Sequence, residues 1–131
     1  DLADDKYVDK IIFTGAVTDI ESLINIMDIG VLMTNTKIHG EGISNVILEY
    51  MAMNKPVIAT KCGGTPEIIE NNKSGFILES NKDLGYYINI LLNNNKLSMS
   101  MGMHGKKIVK RKFNYATMIN SFVTTYKSFF K

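Results

Sequence analysis

Apolar residues along this chain keep two rhythms. Short unbroken runs appear at 10–14 (KIIFT), 29–34 (IGVLMT), 57–60 (VIAT) and 76–79 (FILE). Runs of this length, rich in β-branched residues and bounded by Gly, Pro or Asn, read as strands. Between and after them the apolar positions recur at helical spacing, over 20–27, 44–53, 82–92, 96–112 and 115–130. A shorter helix is expected from Thr65, as cap, and Pro66, as first residue, to Asn71 and Asn72. Asp19 stands where an N-cap belongs, with Glu21 in the first turn behind it. Pro56 opens the third strand, and Gly63-Gly64 makes the turn that follows it.

Strands alternating with helices predict right-handed βαβ units. The expected fold class is therefore α/β: a Rossmann-like parallel sheet with helices on both faces. The run at 29–34 is apolar at every position but its last, as a strand covered on both sides requires. Ligands of such sheets bind beyond the carboxyl ends of the strands. Loops 15–18, 35–42 and 61–65 are the ones to inspect. The chain holds no internal repeat and no low-complexity linker.

Composition narrows the classes. A chain of 131 residues suits one domain with one core. A net charge of +2 does not point to nucleic acid. The basic cluster Lys106, Lys107, Lys110, Arg111 and Lys112 reads first as a solvated helix face, with a membrane-surface patch as the alternative. The single cysteine, Cys62, excludes an internal disulfide and fits a reducing compartment. No apolar run approaches the roughly 18 residues of a membrane span, and no signal-peptide pattern appears. Asp1 in place of Met reads as an excerpt or a processed product.

The chemistry concentrates in 40–53, GEGISNVILEYMAM. Glu41 falls in a loop after a strand, and Gly42 leaves room for a ligand to approach the backbone. The amides of Ile43, Ser44 and Asn45 then begin a helix, where unpartnered N–H groups and the positive dipole end suit an anion such as a diphosphate. Glu49 is the only charge on an otherwise apolar helix and shares a stripe with Asn45. A buried carboxylate there needs donors, which the two hydroxyls of a ribose would supply. The residues alone leave a plainer reading open: Glu41 could merely favour a helix N-terminus, and Glu49 could pair with a surface lysine.

The stretch EGISNVILEYMA at 41–52, the segment NKPVIAT at 54–60 and GGTPEI at 63–68 occur in linked order and spacing. Together they resemble the C-terminal, donor-binding domain of the retaining GT-B glycosyltransferases (glycosyl transferases group 1, family 4-like), whose two acids with seven residues between them match Glu41 and Glu49. The resemblance runs from about Lys10 to Tyr126. It implies an enzyme, a hexosyltransferase that moves a hexose from a UDP- or GDP-linked donor with retention, in cell-surface polysaccharide or lipopolysaccharide synthesis. Glu41 would be the catalytic-side acid against the donor hexose. The backbone of Gly42, Ile43 and Ser44, with Asn45 beside it, would hold the diphosphate, Glu49 the ribose, and Ala16 and Val17 the base. No metal and no cofactor beyond the nucleotide-sugar is expected.

The resemblance also implies that 1–131 is an N-terminally incomplete nucleotide-sugar-binding domain. Two strand–helix units, including a basic pair for the diphosphate, and a whole acceptor domain for a glycan or lipid-linked acceptor would precede Asp1. Those two strands would lie between 10–14 and 29–34, so the latter should show an open edge. The last helix should present an apolar stripe of Tyr115, Met118, Ile119, Phe122, Tyr126 and Phe129. The piece alone is therefore expected to be inactive, and marginally stable or self-associating. A cytoplasmic place, at the inner membrane face with peripheral contact there, goes with the family. A non-catalytic nucleotide-sugar-binding module and a GT-B-fold nucleotide-sugar epimerase are the rivals. Other chemical residues attract less weight. His39 lies in the ligand-side loop, His104 is expected to face solvent, the sequence around Cys62 suggests no nucleophile, and Glu67 suits the start of its helix.

Overall fold

A computed structural model describes residues 5–35 and 42–130. Its centre is a parallel sheet of three strands in the order β1 (Gly30–Leu32), β2 (Val57–Thr60), β3 (Gly75–Leu78). Gly30 pairs with Val57 and Leu32 with Ala59; on the other side Val57 pairs with Gly75 and Thr60 with Leu78. The helices are α1 (Ile20–Ile26), α2 (Asn45–Ala52), α3 (Thr65–Ile68), α4 (Leu84–Asn93), α5 (Asn95–Lys112) and α6 (Tyr115–Phe129). The α/β, Rossmann-like class read from the sequence is the one observed.

The two faces of β2 explain the layering. Side chains alternate along a strand. Val57 and Ala59 pack with Ile47 and Met51 of α2, Ile68 and Ile69, and Ile108 of α5. Ile58 turns the other way, onto Phe76, Leu78, Leu91 of α4 and Met101 of α5. All four residues of β2 are buried. Gly102 lets α5 approach closely: a methyl group there would collide with the carbonyl oxygen of Asn54.

Local chemistry sets the ends of these elements. Asp19 caps α1, accepting from the amide of Ser22 at 3.0 Å. Interaction with Ser22 holds its carboxyl below the ordinary value. Asn94 and Asn114 cap α5 and α6 in the same way, through the amides of Leu97 and Thr117. Helix α2 ends in a Schellman turn. Asn54 takes a left-handed φ of 58°, its amide bonds the Met51 carbonyl, and that of Lys55 bonds the Tyr50 carbonyl at 2.9 Å. Pro56 follows and the chain enters β2. Lys55 also donates to the Asn25 carbonyl at 2.8 Å, tying down the end of α1.

Three sequence expectations change. Residues 10–14 form no strand: a 3-10 helix occupies Asp5–Lys10, and the rest of the run is unpaired, with Ile12 85% and Phe13 79% exposed. An apolar run becomes a strand only where a neighbour takes its backbone bonds, and none of the described strands lies beside it. Strand β1 stops at Leu32, two residues early, because a side chain replaces the ladder: the Thr34 amide donates to Oγ1 of Thr60 at 2.8 Å. Helix α3 is capped by Gly64 instead of Thr65 and ends at Ile68, where the chain turns extended. The expected edge and stripe are both present. Strand β1 is an edge of the described sheet, and α6 buries none of its residues.

His104 is half-buried, which corrects the expectation of a solvent-facing ring. Its Nε2 lies 2.9 Å from Oε2 of Glu70, clamping α5 to the segment after α3. This hydrogen bond is the main cause that holds the Glu70 carboxyl below its ordinary value, with smaller help from Lys73 and Lys112. A carboxylate with a lowered folded pKa stabilises above its unfolded pKa, and that stability is lost as pH falls through the folded one. Glu70→Gln should therefore melt lower than the parent near neutrality, with the gap closing as the acid range is entered. Thermal unfolding across that range checks it; a gap constant at every pH would show that the clamp does not form in solution.

Candidate functional site

The start of α2 is electrically open. Ser44 is the N-cap, yet its side chain makes no capping bond. The amides of Ile43, Ser44, Asn45 and Val46 donate no hydrogen bond among the described residues. They sit at the positive end of the helix dipole. A methyl group on Gly42 would meet nothing within 4 Å among the described residues. Gly42, Ile43 and Asn45 are exposed and Ser44 is half-buried.

The loop after β2 fixes this start in place. The Gly64 amide donates to the Gly42 carbonyl at 3.2 Å, and Gly63 turns the chain with φ 47°. A Cβ on Gly64 would stand 2.8 Å from that carbonyl oxygen and 3.3 Å from Cγ1 of Ile43. Sequence reading marked Gly63-Gly64 as a turn and missed that it positions the α2 amides. The signal was the close pairing of two glycines with the family's proline turn. Beyond the strand ends opens a crevice of about 520 Å³, lined by Thr34, Asn35, Thr60, Lys61, Leu78 and Glu79 among others. Lys61 and Glu79 form an exposed ion pair of 2.8 Å across it. Two of the three loops singled out from the sequence, 35–42 and 61–65, thus contribute to this carboxyl end.

Glu49 is exposed, which corrects the expectation of a buried carboxylate. The buried side of α2 is Ile47 and Met51, and positions 45 and 49 fall away from it. Glu49 instead lines a cavity of about 190 Å³ between helices, with Ala52 and Met53 of its own end and Ile20, Glu21 and Ile24 of α1. Glu21, read only as a helix-start residue, therefore shares a cavity with Glu49. Burial raises the hydroxyl pKa of neighbouring Tyr50, and the charge of Glu49 adds to the rise. Ala16 and Val17 are exposed on the segment that leads into the Asp19 cap. The structure thus brings Gly42, Ile43, Ser44, Asn45 and Glu49 along one helix start, with α1 beside Glu49. Glu41 and His39 lie outside the described residues. Cys62 is buried, and Glu67 is exposed in the first turn of α3.

Residues 1–94 match the family described as "Glycosyl transferases group 1". The chain is 32% identical over 117 residues to the capsular polysaccharide biosynthesis glycosyltransferase CapM of Staphylococcus aureus, covering 88% of this chain and 30% of that protein. It superposes on a glycosyltransferase from Rickettsia africae with a TM-score of 0.82 and 29% identity, covering 96% of this chain and 34% of the other. Anabaena Alr3699/HepE, solved in complex with UDP and glucose, gives a TM-score of 0.82 at 25% identity, over 94% of this chain and 33% of that one. The chain thus spans about a third of the length of the relatives it matches.

The stitched loops make a prediction. Gly64→Ala forces the Gly42 carbonyl aside and should cost about 1–3 kcal/mol in urea unfolding. Gly85→Ala, in α4 with open space around it, should stabilise by about 0.5–1 kcal/mol. Equal effects of the two would mean that a Cβ at position 64 displaces nothing.

Proposed function

The chain belongs to the glycosyl transferases group 1 family, and from that premise we propose that it is the donor-binding part of a retaining glycosyltransferase that moves a hexose from a nucleoside diphosphate sugar to an acceptor. Cell-surface polysaccharide synthesis is the setting, as the name of the Staphylococcus aureus relative supports. The observation that carries the reading is the uncapped start of α2, where four amides have no hydrogen-bond acceptor among the described residues, beside Gly42. An anion there completes their hydrogen bonding. The Anabaena protein, whose fold matches, binds UDP and glucose, a ligand with a diphosphate of the kind those amides would take.

The residues then take roles along the donor. The Gly42, Ile43, Ser44 and Asn45 backbone receives the diphosphate. Glu49 lies one turn further, roughly 6 Å along the axis, and accepts from the ribose hydroxyls at the mouth of its cavity. Ala16 and Val17, at the approach to α1, meet the base through their backbone. Glu41 contacts the hexose near the reacting carbon. As the glycosidic bond breaks, negative charge gathers on the departing diphosphate, where oriented amides stabilise it without reorganising. The acceptor is a glycan or a lipid-linked sugar held outside this domain.

Donor affinity by calorimetry tests the assignment, with UDP- and GDP-sugars and the full-length protein. Glu49→Ala should cost about 1.5 kcal/mol, roughly tenfold in Kd, the lower range for a charge-assisted bond because the carboxylate is exposed in the free protein. Gly42→Val should weaken binding by crowding the amides. In the same protein Glu41→Ala should lower single-turnover rate more than affinity. Unchanged affinity in both the Glu49 and Gly42 variants would refute the donor placement.

A further inference from the structure

Helix α5 carries six cations, Lys96, Lys106, Lys107, Lys110, Arg111 and Lys112, and no carboxylate. The chain has 15 basic and 13 acidic residues, so outside α5 all 13 acids face only nine cations. The positive charge of the molecule is thus gathered on one helix. Its orientation is fixed, because Met101, Gly102, Gly105 and Ile108 are buried, with Gly105 set against Met51 of α2. The opposite arc follows from the helical repeat and holds Lys96, Met99, Met103, Lys106, Lys107 and Lys110. Met99 and Met103 are 60% and 53% exposed in the middle of it. Among the described residues none of these lysines forms an ion pair, the two pairs present being Lys61–Glu79 and His104–Glu70.

A solvated helix face ordinarily intersperses both signs of charge and lacks bulky apolar residues at its centre. A cationic arc around exposed methionines has the composition of a helix that lies in a lipid interface. We propose that the outer face of α5 docks this protein on an anionic lipid surface, with Met99 and Met103 entering the headgroup boundary between the lysines. Nucleic acid fits less well, since single strands are held by stacking on aromatic rings and this arc has none. No helix among the described residues is long and apolar enough to cross a membrane, so the contact runs along the surface. Helix α2 rests on the inner face of α5, through Met51 against Gly105. The proposal uses no residue of the α2 amide cluster and stands or falls apart from donor binding.

Sedimentation with vesicles tests it on the full chain. Partitioning onto phosphatidylcholine vesicles containing phosphatidylglycerol should exceed that onto phosphatidylcholine alone, and should fall steeply with salt. Replacing Lys96, Lys106, Lys107 and Lys110 together by Gln should lower it on the order of a hundredfold or more, at about fivefold per cation. Met99→Ser with Met103→Ser should lower it severalfold while the salt dependence remains. Circular dichroism and unchanged UDP-sugar affinity would show that these changes, exposed except at half-buried Lys106, leave the fold and the α2 site intact. Equal binding to neutral vesicles would overturn the proposal, as would a quadruple variant that binds like the parent, because the exposed aromatic residues of α6 would then carry the contact. So would a preference for RNA or polyglutamate over the anionic vesicles at the same salt.

Discussion

Val57–Thr60 is paired on both edges and covered on both faces, and a parallel strand in that position leaves its neighbours little freedom. Each connection to it must cross over a face of the sheet. The incoming crossover is α2 and the outgoing one begins with α3. Both place their loops at the strands' carboxyl ends, so the uncapped amides of α2 and the Gly63-Gly64 turn meet there. The contact of Gly64 with the Gly42 carbonyl is a consequence of this topology, and it ties the segment before α2 to the loop after β2.

The same constraint explains why the molecule is polarised. Burial is dense around β2, where Ile47, Met51, Val57 and Ile58 have no exposed surface, and thin toward both ends of the chain. The apolar residues Ile12 and Phe13 and those of helix α6 nevertheless lie open to solvent. Apolar composition alone does not bury a segment; a partner surface does. Charge is polarised as well. The cations collect on α5, on the side of the sheet's helical layer turned away from α2, while the α2 start offers only partial positive charge from its backbone.

The site that results is built mostly from main chain. Backbone amides are fixed by the fold and carry no side-chain entropy of their own. The proposed role suits such a site, since a diphosphate asks for oriented donors more than for particular side chains. Glu49 adds the one carboxylate on that stripe. Its exposure spares the carboxylate a desolvation penalty.

How much of this was legible without coordinates follows from the range of the forces involved. Strand β2, the helices from α4 onward, the Asp19 cap and the α2 start were readable because periodicity, proline placement and capping chemistry act within one or two turns of chain. The linked spacing of Glu41, Glu49 and the Gly-Gly-x-Pro-Glu turn carried the family in the same local way. What lay beyond it depended on residues far apart in sequence. Residues 10–14 needed a neighbouring strand to become one, Thr34 found its partner 26 residues away in Thr60, and His104 met Glu70 across 34. Glu49 looked buried because its neighbours in sequence are apolar, but burial is decided by which face of α2 the sheet and α5 cover. Only the tertiary structure could assign that face, since packing is set by surfaces in space and a sequence lists only the order in which they are made.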